Sequence, residues 1–518
     1  MVWLVSAAAA IGAAGWVVLP ALVEGRRSAE LAPGDPLEDT SPGLALTSTL
    51  MGGGRGLAII ALWTRAMAMQ EEGRYFELVQ LFDLIGRLEP HFPTIWQYAS
   101  WNLAYNVSVK FTDPEERWRW VSRGIELARD RGIVYNPRSV DIYFEIAWIY
   151  FHKVGGVSFD EYSAYYRQRL AADVEDALGR APDLAAMAAA PEADEVLSEP
   201  GVAALVEALR GAGARPLADS VSVTRELGRS ADIQAVLSDP AHADALSRLM
   251  PLLRREGMWK NWRLSAKRML ELSERFGPID WRLPEAHSLY WSTRALEVSG
   301  EEDWIANADR VTVHSLIGLF RTGRLYFERP EGGEPVYITS PDGRFIDAVN
   351  GVYRAAISRF EGESAESSFK DAHRNFLDDA VVLLYTSGEV DRARRYYNLA
   401  AVLYPNPDYE TNLRDFVVGQ IESGVAGQQI DQAQGVVVGY VWQALRCLAT
   451  GDRERAASLD ALAGRAWARY LADYGEGAMV APTYEQLRRE VVRQFLDFVG
   501  GNAAEELRSR LPEHMLPD

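Results

Sequence analysis

Two stretches of the chain repeat one spacing of glycine, apolar residues and proline. Apolar or aromatic residues follow the glycine at offsets of two, five, nine and twelve, and a proline follows at seventeen. The first copy comprises Gly73, Tyr75, Leu78, Phe82, Ile85 and Pro90, and the second comprises Gly388, Val390, Ala393, Tyr397, Ala400 and Pro405. Steps of three and four residues place these side chains on one face of a helix. The pattern predicts a helix before each glycine, a glycine turn with positive φ, and a second helix that ends at the proline.

This spacing resembles the second half of a tetratricopeptide (TPR) repeat, a helical hairpin of about 34 residues. Weaker copies of the pattern surround Trp96, Tyr143 and Gly451. The resemblance implies an all-α fold, a TPR-like α-solenoid of helix hairpins whose concave face holds a peptide or helix of a partner protein. Leu78 and Ile85 stand where TPR repeats usually have small residues, which implies that the first hairpin packs differently.

Four further segments resemble a family of uncharacterised bacterial membrane-anchored TPR proteins. They are Gly53–Leu57, Trp101–Asn106, Glu115–Trp120 and Asp280–His287. No activity is established for that family. The resemblance therefore implies an architecture and a membrane anchor only.

Composition along the chain predicts six segments. Residues 1–23 form a transmembrane anchor, 24–43 a linker containing Pro, Gly and Asp, and 44–177 a lead-in followed by TPR-like repeats. Residues 178–257 are rich in Ala and Pro and predict an irregular helical insertion. Residues 258–345 predict helices and one small β-hairpin, and residues 346–518 predict further repeats and a capping helix. In the third hairpin, a helix starting at Ser139 is predicted to pair with one around Asp160 to Val174.

The anchor is predicted because Val2 to Val23 contains no charged side chain and has about the length that crosses a bilayer. A cleaved signal peptide is the competing interpretation. Arg26 and Arg27 follow the span, which would keep the rest of the chain cytoplasmic by the positive-inside rule. Glu24 lies beside them, so the sequence leaves the side of the membrane open.

Composition restricts the classes of partner. The 518 residues carry a formal charge of −19, which argues against nucleic acid as the main ligand because phosphate binding needs a basic surface. Cys447 is the one cysteine, so an internal disulfide and a multi-cysteine metal site are excluded. We find no phosphate-binding loop, dinucleotide fingerprint or zinc-protease helix. No cofactor and no metal are predicted.

Aromatic and asparagine side chains in the first repeats indicate a partner-binding surface. Aromatic residues and Arg are enriched at binding hot spots, and the TPR resemblance implies asparagine contacts to a peptide backbone. The predicted partner-binding residues are Trp101, Asn102, Tyr105, Asn106, Arg119 and Trp148. His152, close to them in sequence, is interpreted as an interior or edge histidine. The predicted function is a membrane-anchored scaffold or assembly factor that is not an enzyme.

Two alternatives remain open. Asp280, Glu285 and His287, with Arg282, form the best polar cluster and suggest a hydrolase of the cell envelope. The competing interpretation of this cluster is a network at a helix start, in which Arg282 pairs with a carboxylate. A purely structural subunit that assembles with itself or with membrane proteins is the other alternative.

Overall fold

A computed structural model describes residues 55–158, 160–214, 230–299, 305–329, 336–424, 430–449, 453–474, 481–499 and 501–511. The predicted anchor, the linker and Gly451 lie outside these ranges. Within them, every regular element is helical except one two-stranded hairpin, which confirms the all-α class. None of the helices in these ranges is long and apolar enough to cross a membrane.

The described residues belong to two compact units. The first unit takes its residues from Met1–Glu274 and Ile279–Ser315, and the second from Arg275–Pro278 and Leu316–Asp518. The segment predicted at 258–345 therefore contributes to both units.

The first unit begins with helices that alternate with short turns. They are α1 (Arg55–Glu71), α2 (Tyr75–Leu88), α3 (Pro93–Trp101), α4 (Pro114–Leu127), α5 (Val140–Trp148), α6 (Ser163–Leu178), α7 (Leu184–Ala189), α8 (Ala193–Ser198), α9 (Pro200–Gly211), α10 (Ala231–Ser238), α11 (Ala243–Trp262), α12 (Ala266–Phe276), α13 (Pro284–Val298) and α14 (Ile305–Thr322). Both α12 and α14 run across the boundary between the units.

Helices α1 to α4 pack as two successive hairpins. Gly73 joins α1 to α2 with a φ of 73°, which confirms the predicted glycine turn. The α2 helix also packs on α3, and Gly86 of α2 allows this close contact. A Cβ atom at Gly86 would lie 2.5 Å from the Trp96 ring, so only glycine lets this buried indole lie against the α2 backbone. The Trp96 indole N–H donates to the Pro90 carbonyl at 2.8 Å.

The second hairpin, α3 with α4, is held by close contact between backbones. The Ser100 hydroxyl donates to the Gly124 carbonyl at 2.8 Å. A Cβ atom at Gly124 would lie 2.7 Å from the Ser100 carbonyl oxygen. Small residues are therefore required on both helices.

The predicted partner for the third hairpin is wrong. The α5 helix packs mainly on α13, whereas α6 packs mainly on α11. Ala147 on α5 and Ser288 on α13 are both fully buried, and the Ser288 hydroxyl donates to the Ala147 carbonyl at 2.9 Å. Two small side chains at this crossing let the helices approach closely, although more than 130 residues separate them in sequence. The chain between them forms an insertion within the helical pair.

Part of that insertion has its own apolar core. Leu249, Leu252 and Leu253 on α11 pack against buried side chains of the short helices before it, namely Val196, Val202, Leu205, Leu209 and Ile233. The helices predicted for residues 178–257 are thus present, but α11 extends to Trp262.

The second unit contains a hairpin of strands β1 (Arg324–Glu328) and β2 (Val336–Ser340), which are antiparallel with Arg324 opposite Ser340. This confirms the predicted β-hairpin. The helices that follow are α15 (Ile346–Arg359), α16 (Ser364–Thr386), α17 (Val390–Leu403), α18 (Leu413–Gly424), α19 (Ile430–Ala449), α20 (Arg453–Tyr474), α21 (Tyr484–Val499) and α22 (Gly501–Arg510). Gly388 joins α16 to α17 with a φ of 77°. The predicted capping helix corresponds to α21, and α22 follows it.

Replacing glycine with alanine should have opposite effects on stability at two positions of this unit. Gly388→Ala should destabilise the unit by roughly 1–2 kcal/mol because an alanine is strained at positive φ. Gly351→Ala, inside α15 with no atom within 4 Å of the new Cβ, should stabilise it by about 0.5–1 kcal/mol. Urea unfolding of both variants measures the difference. A stabilising Gly388→Ala would contradict the assigned turn.

Candidate partner-binding site

Two neighbouring helices of the first unit, α3 and α5, have the same construction. Each is nine residues long, ends in a tryptophan, and continues into a six-residue π-helical turn, Asn102–Val107 after α3 and Ile149–Val154 after α5. The two helices pack against each other. A π-helical turn is wider than an α-helical one and is frequent at functional sites. Equivalent turns on adjacent helices therefore place equivalent side chains side by side.

Four side chains at these turns form a continuous row of rings. Trp101 stacks on Tyr105 with ring centroids 6.0 Å apart, and Trp148 stacks on His152 with centroids 4.6 Å apart. The Tyr105 hydroxyl and His152 Nδ1 are 3.1 Å apart and join the two pairs. Trp101 is 37% exposed, and the other three are half-buried. We call Trp101, Tyr105, Trp148 and His152 the aromatic ledge.

Further rings continue the ledge at both ends. Tyr98 lies 6.1 Å from Trp101 and 4.9 Å from Trp63 of α1, measured between centroids. At the other end Phe151 packs on Trp148, and His314 of α14 stacks on Phe151 at 5.3 Å. The exposed aromatic surface thus extends over four helices of the first unit.

Burial keeps both partners of the Tyr105–His152 hydrogen bond uncharged. Burial, and then the charge of Lys153, lowers the pKa of His152, so the imidazole is neutral at pH 7. Burial, and then the charge of Glu145, raises the pKa of Tyr105, so its phenol stays protonated. The Tyr105 hydroxyl and His152 Nδ1 therefore share a hydrogen bond between two uncharged groups, and the imidazole tautomer sets which of them donates.

A buried carboxyl group lies next to the ledge. Glu145 on α5 is 4% exposed and is hydrogen-bonded to Gln97 on α3. Its Oε1 has no hydrogen-bond partner among the described residues. Burial raises the pKa of Glu145 to about 8, against a smaller opposing effect of the Gln97 hydrogen bond. Glu145 is therefore mostly neutral at pH 7.

The C-terminal end of the α5 turn is fixed by a buried ion cluster. Lys153 pairs with Asp160, which also lies 3.3 Å from the Arg117 guanidinium of α4. The Lys153 ammonium lies 5.3 Å from the centre of the Tyr105 ring. Burial alone would raise the pKa of Asp160, but the Lys153 hydrogen bond and the nearby cations lower it. The cluster therefore stays ionised at neutral pH and holds the turn against α4.

The structure separates the six predicted binding residues. It brings Trp101, Tyr105 and Trp148 together on the ledge. Asn102 is fully buried and donates from Nδ2 to Gln70 Oε1 at 2.5 Å, so it is not presented at the surface as predicted. Asn106, four residues after it, is half-buried.

Arg119 does not belong to the ledge. It is exposed on α4, pairs with Glu116 at 2.9 Å, and lines an open cavity of about 800 Å³. The walls of this cavity include Phe76, Trp118, Trp120 and Trp262, together with Arg123, Arg129 and Arg169. Each of these arginines pairs with a carboxylate: Arg123 with Glu126, Arg129 with Asp130, and Arg169 with both Glu115 and Asp173. The surface predicted as one site is therefore two.

The alternative hydrolase cluster is not assembled as a site. Asp280 pairs with Arg282 at 2.8 Å, and Arg282 also contacts Glu175 at 2.6 Å. His287 is fully buried, lies 2.9 Å from the Trp281 carbonyl through Nε2, and has its pKa lowered to about 3 by burial. None of Asp280, Glu285 and His287 lines the open cavity beside α4. The competing interpretation, a network at the start of α13, describes this cluster.

The described residues also do not bring together side chains that could bind a metal ion. Within the described ranges, no three His, Cys, Asp or Glu side chains are placed to hold a metal ion.

Sequence reasoning missed His152 and Glu145. An available signal was the offset of 47 residues that relates Trp101 to Trp148 and Tyr105 to His152. This offset is longer than the TPR period of about 34 residues. Glu145 is a carboxylate between the apolar residues Phe144 and Ile146, so its polarity was the second signal.

The raised pKa of Glu145 predicts a pH dependence of stability. In the unfolded chain this carboxyl ionises near pH 4.3, whereas the folded state holds its proton up to about pH 8. Its contribution to the free energy of unfolding should therefore fall with pH between these values, by at most about 1.4 kcal/mol per pH unit. Glu145→Gln should remove this slope.

Urea unfolding of the wild type and Glu145→Gln, at several values between pH 5 and 8, measures the difference. Glu77→Gln, at an exposed glutamate, is the matched control and should follow the wild type. Parallel pH profiles for wild type and Glu145→Gln would show that the carboxyl is not buried.

No protein-family model matches this chain, and a search of curated proteins finds no match.

Proposed function

We propose that this protein is a membrane-anchored, TPR-like scaffold or assembly factor that holds a segment of a partner protein on the aromatic ledge. The observation that supports this most is the ledge itself. Trp101, Tyr105, Trp148 and His152 expose part of their rings on adjacent helices, held by hydrogen bonds and a buried ion cluster. Rigid aromatic side chains bind at a low entropic cost, because they have few rotatable bonds.

The TPR resemblance is supported by the packing of the first hairpins. In α1 to α4, each helix packs on the next, and the first helices α3 and α5 are neighbours. Rings of α1 also contact rings of α3 through Trp63 and Tyr98. Such an arrangement aligns the first helices of successive hairpins, so that their side chains form one extended surface. A peptide or helix of the partner would lie along it.

The membrane anchor is part of the proposal and depends on the sequence. Val2 to Val23 contains no charged side chain over a length that crosses a bilayer. A scaffold attached there would meet partners in or near the membrane.

The anchor is tested by deletion. The full chain should sediment with membranes and stay there after washing with alkaline carbonate, whereas the chain lacking residues 2–23 should move to the soluble fraction. Full-length protein that is released by the carbonate wash would contradict the anchor.

The ledge is tested by site-specific crosslinking in native membranes. A photoreactive phenylalanine analogue at Trp101 should crosslink one partner protein, and the same analogue at Arg119 should not crosslink that partner. Trp148→Ala should then weaken binding of the identified partner by about 2 kcal/mol, roughly 30-fold, because a buried aromatic anchor is lost.

Trp259→Ala is the matched control, since Trp259 is a 47% exposed tryptophan on α11 that packs against Arg263. It should leave the affinity unchanged. Crosslinks that form at Arg119 but not at Trp101 would move the binding site to the cavity beside α4. No protein crosslink at either position would contradict the proposed function.

A further inference from the structure

We propose that the aromatic ledge recognises a cationic side chain, a lysine or an arginine, whose charged group binds between the rings and the Glu145 carboxyl. This inference rests on the proposed function and deepens it, because it states the chemistry of the partner segment.

Helix geometry places Glu145 one turn before Trp148 of the ledge, and its hydrogen-bond partner Gln97 one turn before Trp101. Glu145 precedes Trp148 by three residues, and Gln97 precedes Trp101 by four, so each polar residue shares a helix face with its tryptophan. Glu145 and Gln97 are hydrogen-bonded to each other across the two helices. The carboxyl therefore lies at the contact between α3 and α5, one turn from Trp148. It is also close to Tyr105, because the charge of Glu145, after burial, raises the pKa of that phenol.

One hydrogen-bonding atom at this contact is unused. Glu145 Oε1 is buried and has no hydrogen-bond partner among the described residues, and it becomes an acceptor when the carboxyl ionises. A buried acceptor without a partner costs free energy, of the order of 1–3 kcal/mol. A ligand that donates hydrogen bonds would remove this cost, and a purely apolar ligand would not.

The rings of the ledge and the negative charge of the chain both favour a cationic donor over a neutral one. The faces of tryptophan and tyrosine rings attract ammonium and guanidinium groups. Tyr105 already contacts one such group, the Lys153 ammonium, at 5.3 Å. The chain carries a formal charge of −19, which favours the approach of basic segments. An acidic partner side chain would instead be repelled by Glu145 in its ionised form.

Binding of a cation is coupled to a proton. Burial keeps the free Glu145 carboxyl mostly protonated at pH 7, and a bound cation favours its ionised form. Each binding event should therefore release up to one proton below about pH 8. Affinity should rise with pH up to that value and then level off.

The other titratable groups packed around α5 have partners of their own. Tyr105, from the turn after α3, is hydrogen-bonded to His152 of the α5 turn. Lys153 of that turn pairs with Asp160. Arg129, beside α5, pairs with Asp130, and His287 of α13 contacts the Trp281 carbonyl. Burial, and then the charge of Lys153, lowers the pKa of His152 from its ordinary value, and Glu145 variants separate its proton from that of Glu145.

The test uses the full chain and three single-residue probes. The probes are the N-acetyl methylamides of lysine, arginine and norleucine, which share a linear side chain and differ in charge and donors. Saturation-transfer NMR at pH 6 and pH 8.5 measures their dissociation constants. At pH 8.5 we expect the lysine or arginine probe to bind at least roughly tenfold more tightly than norleucine. At pH 6 the same charged probe should bind less tightly than it does at pH 8.5.

Glu145→Gln should abolish both the preference for charge and its pH dependence, and Glu145→Asp, which keeps the carboxyl, should retain part of each. Circular dichroism checks that both variants are folded. The lysine and arginine results together define which cation the ledge prefers. The inference is overturned if norleucine binds as tightly as both charged probes, or if Glu145→Gln binds them as the wild type does.

The failure of this inference is distinguishable from that of the proposed function. A partner crosslinked from Trp101, together with equal binding of all three probes, would keep the scaffold and reject the cation. Charge-selective binding that depends on Glu145, without any protein partner at the ledge, would keep the cation site and reject the scaffold.

Discussion

The first unit depends on the close approach of helix backbones at small residues. Gly124 leaves no room for a Cβ beside the Ser100 carbonyl, and Ser288 donates directly to the Ala147 carbonyl. Where two helices touch this closely, large side chains cannot lie between them and must point to other faces. On α3 and α5 those other faces carry the ring side chains. The packing requirement and the exposed aromatic surface are thus two results of one constraint.

The π-helical turns modify this constraint where the ledge forms. Each turn adds a residue after a tryptophan, and it does so at the same place on two adjacent helices. The resulting offset aligns Tyr105 with His152, so that they share a hydrogen bond. It also leaves Asn102 inside the packed hairpins with an unsatisfied carbonyl oxygen. Local irregularity, buried polar atoms and exposed rings therefore coincide in one part of the molecule, a combination typical of functional sites.

Local spacing predicted a large part of the fold. The turns at Gly73 and Gly388, the β-hairpin and α21 were all predicted, because short-range steric rules determine them. The partner of α5 was not, because α13 follows it after a long insertion and no local pattern records such a contact. Of the predicted binding residues, the structure brings Trp101, Tyr105 and Trp148 together, buries Asn102 and places Arg119 at the cavity beside α4. Asn102 begins a π-helical turn, where the face that a side chain occupies departs from the α-helical period and sequence spacing does not give it.

Hydrogen–deuterium exchange of the protein, alone and in complex with a partner isolated from the membrane, tests the central claim most directly. The account predicts slower exchange in the complex at both π-helical turns, Asn102–Val107 and Ile149–Val154, with Pro114–Leu127 unchanged. Protection confined to Pro114–Leu127, with both turns exchanging as in the free protein, would contradict it.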